Sequence, residues 1–290
     1  MHPPTTEWPN ETYREFMEIV TEYQLSNSCG DRLIKLFNSI KNVDKKLFPK
    51  STKEGRKFID NSDFPYMKFK KVPVTDFQDV CYDFYYQPII NGIKTLLFQP
   101  DINEKFVFRY QSNASVKTYD EQFGSNWWNI TEKEIHIDNN LLSIIIYADA
   151  TTCDHLGKTS EHPIYISLGN IPSWLRNKSH AKVLVGYLPK LKAKDNTTRN
   201  SKSLRKLQRQ VFQRCLNILL SPILNQSDMY FVVKNEIHAF TPKISVILAD
   251  MVEAGAFTAT YLPSTSKRPC CYCLIDNNDL NNMELSNVIL

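Results

Sequence analysis

The stretch LLSIIIYADATTCD, Leu141 to Asp154, decides the fold. Its apolar run, Leu142 to Ala148, stops at an acid, Asp149. A second run, Ile244 to Ala249, stops the same way at Asp250. Both runs are rich in β-branched residues and too short for typical helices, so both read as buried strands. A carboxylate at the end of a buried strand is costly unless something uses its charge. Two of them on neighbouring strand ends would form a site for a hard divalent cation such as Mg²⁺. Two-metal sites of that kind cleave and join phosphodiesters. Each acid alone also has a plainer reading, as a strand end or a helix cap. Asp250 precedes Met251-Val252-Glu253, the spacing of an N-cap with an acid at the third helical position.

Outward from this stretch, Pro163 to Leu168 and Ala181 to Leu188 read as further strands. A polar linker, Lys190 to Ser201, leads into an amphipathic helix from Ser203 to about Leu220. Its stripe is Leu204, Leu207, Val211, Cys215, Ile218 and Leu219, and Pro222 is expected to stop it. Met229 to Val233 reads as a strand and Glu253 to Tyr261 as a short helix. Strand, strand, strand, helix, strand, helix is the order of the ribonuclease-H-like fold. There the first acid lies on the first strand and the second at the end of the fourth. The fold class read from this order is α/β: a ribonuclease-H-like mixed sheet with flanking helices, preceded by a mainly helical N-terminal region. Strand order is an analogy of fold and does not by itself give function.

Upstream, residues 12–42 read as two helices around a polar turn, Ser26 to Asp31. Lys45 to Lys71, basic and containing Pro49 and Pro65, reads as a surface linker or extended arm. Residues 77–98 read as an aromatic-rich helix interrupted at Pro88. Trp127 and Trp128 are adjacent and cannot share one face of a helix or strand. They either divide between core and surface or stack a base.

Composition excludes several function classes. With 42% hydrophobic and 23% charged residues in 290, the chain can bury a core. Only 8 Gly are present, and no GxxxxGK[ST] or GxGxxG pattern occurs, which argues against a nucleotide cofactor. No run approaches the ~18 apolar residues of a membrane helix, and the N-terminus lacks the pattern of a secretory signal. An intracellular protein is expected, with its seven Cys as buried thiols or metal ligands. A net charge of +4 permits nucleic-acid binding without demonstrating it.

Three further motifs carry chemistry. Asp154, His155 and Glu253 could supply secondary ligands or orient water, or lie on the surface. Cys270 and Cys273, in RPCCYC, have the spacing of two zinc ligands, but a structural zinc needs two more. His238 is one upstream candidate that the spacing does not single out. Lys202, Arg205, Lys206 and Arg209, with the lysines of the preceding linker, could track a phosphate backbone or form a solvated helix face. Trp174-Leu175-Arg176-Asn177-Lys178 adds a basic aromatic turn.

The segments YADATTCDHLGKTSEHPIYISLGNIPSWLRNKSHAKVLVGYLPKLK (147–192), SLRKLQRQVFQRCLNILLSPIL (203–224), ISVILADMVEAGAFTATY (244–261) and RPCCYCLI (268–275) together resemble the Plavaka transposases. These belong to the Kyakuja-Dileera-Zisupton group, akin to CACTA elements. The resemblance covers about residues 135–285 in order and spacing. It implies a DDE transposase core in which Asp149 and Asp250 are the first two catalytic acids and ligands of a two-metal Mg²⁺ site. It implies a nuclear protein that acts on transposon-end DNA, and it leaves a homo-oligomer open. It also implies that Cys270 and Cys273 open a zinc knuckle inserted before a third acid, a Glu. Glu284 lies too near the knuckle to match that Glu, so the expectation is a truncated relic with little activity alone. A non-catalytic DNA-binding or regulatory protein derived from a transposase is the alternative. The expected division is a helical region over 1–130, an incomplete core over 131–262 and the start of the knuckle over 263–290.

Overall fold

The structure, a computed structural model, describes residues 8–41, 44–60, 68–111, 121–153, 160–225, 228–260, 265–271 and 273–282. The chain divides into two compact units, residues 1–65 and 66–290.

The first unit is helical. α1 (Glu11–Glu22) starts at Asn10, whose side chain accepts from Tyr13 N, and α2 (Asn27–Asn38) starts at Ser26, which accepts from Cys29 N. These are the short polar side chains that satisfy otherwise orphaned helix-end N–H groups. The segment read as a linker from Lys45 instead forms a 3₁₀ turn and a third helix, α3 (Thr52–Asp60). Asp31 on α2 accepts from Thr52 N at 2.7 Å and so holds the start of α3. Tyr13, Phe16, Met17, Val20 and Ile34 form the small core.

The second unit is built on a seven-stranded mixed sheet. Its strands are β1 (Lys70–Phe77), β2 (Val80–Tyr86), β3 (Asn140–Ala148), β6 (Pro163–Leu168), β7 (Val183–Tyr187), β8 (Met229–Val233) and β9 (Glu236–Leu248). β4 (Thr151–Thr152) and β5 (Ser160–Glu161) pair as a separate small ribbon. The order across the sheet is β1-β2-β7-β6-β3-β9-β8. Every neighbouring pair is antiparallel except β3 and β9, which are parallel. β3, β6, β7 and β9, in the spatial order β7-β6-β3-β9, form the ribonuclease-H-like arrangement, with β1–β2 extending one edge and β8 the other.

Helices flank this sheet. They are α4 (Ile89–Leu97), α5 (Pro100–Lys105), α6 (Asn126–Glu134), α7 (Ser173–Arg176), α8 (Asn196–Arg199), α9 (Lys202–Leu224) and α10 (Met251–Phe257). Side chains alternate along a strand, and β3 uses both faces. Leu142, Ile144, Ile146 and Ala148 join the main core with Ile93, Leu96, Val211, Cys215 and Leu219 of α4 and α9. Leu141 lies on the other side, in a cluster with Phe123 and Trp128. Trp128 is fully buried and Trp127 only partly, so the tryptophan pair divides between core and surface.

Several elements differ from the sequence expectation. Residues 77–98 are the end of β1, strand β2 and then α4, with Pro88 as the cap before α4 rather than a kink inside a helix. Alternating aromatics served strand pairing there, not one helical face. Pro222 lies inside α9, which runs on to Leu224. β9 begins at Glu236 and passes through Pro242, just beyond the point where β8 stops pairing at Phe240. There the ladder toward β8 has ended, and a residue without N–H is tolerated at such an edge. The compact-unit boundary falls at 65/66 rather than near 130, because β1 and β2 pair into the same sheet as β3.

Candidate active site

The register of β3 with β9 sets the site. From Asn140↔Phe240 to Ile144↔Ile244 the parallel pairs run in step. The register then shifts, and the next pairs are Ile145↔Val246, Ile146↔Ile247 and Tyr147↔Leu248. Ser245 is the extra residue of this bulge. Two residues past the last pair on each strand come Asp149 and Asp250. They follow the ends of adjacent strands, whose backbones run about 4.8 Å apart where they pair. Extending the strands' alternation would put both on the face of Tyr147 and Leu248. Without the bulge, Ala249 would stand beside Asp149 and Asp250 would point to the opposite face. Both acids are exposed.

The bulge is fixed by hydroxyls. Ser143 Oγ lies 2.8 Å from Ser245 Oγ and donates to Gln122 Oε1 at 2.6 Å, and Gln122 Nε2 donates to Ser245 Oγ at 3.1 Å. Gly169 leaves room for this cluster: a Cβ there would meet Gln122 Oε1 at 1.7 Å and Ser143 Oγ at 2.3 Å.

Each acid carries one neighbour. Tyr147 donates its hydroxyl to Asp149 Oδ2 at 3.1 Å. Partial burial, then the hydrogen bond and charge of Asp149, push the Tyr147 hydroxyl above its ordinary pKa, so it stays a donor at neutral pH. Asp250 caps α10, its Oδ1 accepting from Glu253 N at 2.8 Å. This leaves Asp149 Oδ1 and Asp250 Oδ2 as the oxygens that could hold a cation. Glu253 turns elsewhere: its Oε1 lies 3.2 Å from His162 Nε2, and both side chains are about 15% exposed. His162 stands just before β6, antiparallel to β3, at the same end of the sheet. Nothing in the sequence marked His162. Tyr147, by contrast, was legible as the residue two before Asp149 on one strand.

The basic residues divide by partner. Lys202, Arg205, Lys206 and Arg209 are all exposed on the N-terminal half of α9. The middle of α9 packs on α10, where Phe212 meets Phe257 edge-on at 5.3 Å and Gln213 Nε2 donates to Ala256 O at 2.7 Å. The cationic stripe therefore ends about one turn from the helix that begins at Asp250. Arg176 is committed to Glu121 at 3.2 Å, which also accepts from Ser173 N, so that turn is held internally. Trp174 stays exposed with the Lys178 amine 5.5 Å from its ring.

The remaining sequence candidates do not gather. Cys270 and Cys273 are half-buried thiols without a disulfide. Among the described residues no group of three or more His, Cys, Asp or Glu is arranged to hold a metal. Two thiols alone do not fit a closed zinc site, which needs four ligands. His238 packs against the Phe108 ring at 4.6 Å instead. Asp154, His155 and Glu284 lie outside the described residues.

The model of the Plavaka transposases matches residues 50–288. The chain belongs to the Plavaka transposase family. No curated protein matches it. Among the described residues of this Plavaka chain, no helix is long and apolar enough to cross a membrane.

Proposed function

We infer that this Plavaka chain is a transposase-derived DNA-binding protein whose acid pair, Asp149 and Asp250, is the core of a Mg²⁺-dependent strand-cleaving centre. The observation that carries the reading is the pair of exposed carboxylates ending adjacent parallel strands. Two carboxylates with free oxygens suit Mg²⁺, which takes one or two protein carboxylates and completes its shell with water and phosphate. Bound there, Mg²⁺ would supply Lewis-acid activation for hydrolysis at a transposon end and strand transfer by the freed 3′-hydroxyl. Tyr147 orients one oxygen of Asp149, and the α10 cap orients one of Asp250. The exposed cations of α9 draw in the phosphate backbone and lie one helix away from the acids. Action on DNA implies a nuclear location.

No third carboxylate joins the pair among the described residues, because Glu253 faces His162. The chain is therefore expected to bind DNA while cleaving it weakly or not at all. The test is a salt titration of duplex binding together with a nicking assay in Mg²⁺ or Mn²⁺. Replacing Lys202, Arg205, Lys206 and Arg209 by Gln should flatten log K against log salt by up to about 0.9 per lost phosphate contact. Asp149→Asn and Asp250→Asn should leave binding intact. Unchanged mobility of DNA at low salt would overturn the DNA reading. Robust nicking that disappears in Asp149→Asn would overturn the inactivity.

A further inference from the structure

A groove of about 650 Å³ runs between residues 188–193 and the N-terminal half of α9. Its floor is apolar, made by Leu188, Leu191, Leu204, Val211 and the partly buried ring of Phe212. Lys192 and Arg199 stand exposed on its rim. Neither has an ion-pair partner among the described residues. His162 lines one end of the groove and touches Glu253, so the groove abuts the helix that starts at Asp250.

The wall is built in advance. Tyr82 accepts from Lys192 N at 3.1 Å, Gln78 accepts from Lys194 N at 2.8 Å, and Lys190 donates to Ser160 Oγ at 2.6 Å. The β1–β2 turn thus straps the segment after β7 into place. A preformed site binds at lower ordering cost.

We propose that this groove takes one unpaired nucleotide of the DNA strand presented to the acids. The base lies on the apolar floor against Phe212, and its flanking phosphates meet Lys192 and Arg199. The volume suits a single small ligand and not a duplex. An apolar floor below a cationic rim matches the two parts of a nucleotide, and base–aromatic stacking does not depend on which base is present. Unstacking a paired base costs free energy, so a nucleotide that is already unpaired is favoured.

The proposal rests on the DNA-binding reading above, and the experiment separates the two. Affinity is measured by fluorescence anisotropy, with the full chain, for three DNAs of equal length. One is a blunt duplex, one carries a single unpaired nucleotide, and one carries an abasic residue at that place. The unpaired nucleotide should bind about tenfold tighter than the blunt duplex, within what stacking one base contributes. The abasic DNA should lose most of that gain. The pair Lys192→Gln and Arg199→Gln, or Gln208→Trp filling the groove from an exposed lining position, should bring the unpaired DNA down to the duplex level. Arg205→Gln with Lys206→Gln should weaken all three DNAs in parallel. Equal affinity for the three DNAs overturns the groove and leaves the DNA reading standing. No binding to any of them overturns both.

Discussion

Asp250 serves the helix as well as the acid pair, and two substitutions separate these roles. Its Oδ1 caps α10, and Asn caps about as well as Asp. Asp250→Ala should therefore cost about 1 kcal/mol of stability, while Asp250→Asn should cost little. Both should abolish Mn²⁺ binding followed by electron paramagnetic resonance. Chemical denaturation that fails to distinguish them would remove the cap. Asp31 gives the pH-dependent counterpart. The hydrogen bond from Thr52 N, above all, holds its carboxyl below its usual range. A folded pKa below the unfolded one gives stability that is present above the ordinary carboxylate range and lost as pH falls through the folded value. Asp31→Asn should thus destabilise the chain at pH 7, and the gap should close at strongly acidic pH. A gap independent of pH in paired denaturation curves would contradict this. At this scale the sequence was informative for the acids, since an apolar run ending in Asp is visible by eye. It marked Glu253 but was silent on His162 and on their contact: the two are 91 positions apart and meet only because β6 and α10 share one end of the sheet.

The bulge at Ser245 shows what a strand pattern hides. Residues 244–249 read as an even apolar run, and nothing in the run says that one residue of it is skipped in pairing. The skip is stated by partners from three segments: Ser143, Gln122 and the room left at Gly169. Bulges of this kind re-aim side chains near functional sites. Inserting one Ala between Leu248 and Ala249 should keep β3 and β9 paired through Tyr147↔Leu248 but set Ala249 beside Asp149, and Mn²⁺ binding should be lost. Ser245→Ala, which keeps the residue count, tests the hydroxyls alone. It should cost roughly 1–2 kcal/mol, since Ser143 and Gln122 lose a partner, and weaken Mn²⁺ binding without abolishing it. Undiminished Mn²⁺ affinity in the insertion would mean that register does not align the acids. The other misread elements have the same origin. β2 and α4 are each short, and aromatic residues at 82–86 fit a strand as readily as a helix. Pro222 marks no stop because α9 is held by its buried face, with Leu216, Leu219, Leu220 and Ile223 packed in the core.

At the scale of the whole molecule, local pattern was right about strand order and blind to how far the sheet extends. The strands from β3 onward could be ordered from apolar runs. That β1 and β2 join them depends on β2 pairing with β7 about a hundred residues later, through Tyr85↔Tyr187 and Tyr86↔Gly186. The core follows the sheet rather than the sequence. Phe84, Ile89, Ile93 and Leu96 are fully buried in one cluster with Ile144, Ile146 and Ile166. A chain of residues 131–290 would lack the first four and leave their partners facing water. Each such side chain contributes about 1.5–3 kcal/mol when buried, so the combined loss is comparable to the roughly 5–15 kcal/mol that holds an ordinary domain together. Residues 131–290 alone should therefore fail to fold, showing no cooperative thermal transition and binding a hydrophobic dye. Residues 66–290 keep β1, β2 and α4 and should unfold cooperatively. They should also retain the salt-sensitive DNA affinity of the full chain, since the acids, the groove and the α9 cations all lie within them. A cooperative, DNA-binding 131–290 would instead make the β1–β2 hairpin an accessory to the ribonuclease-H-like strands rather than part of their core.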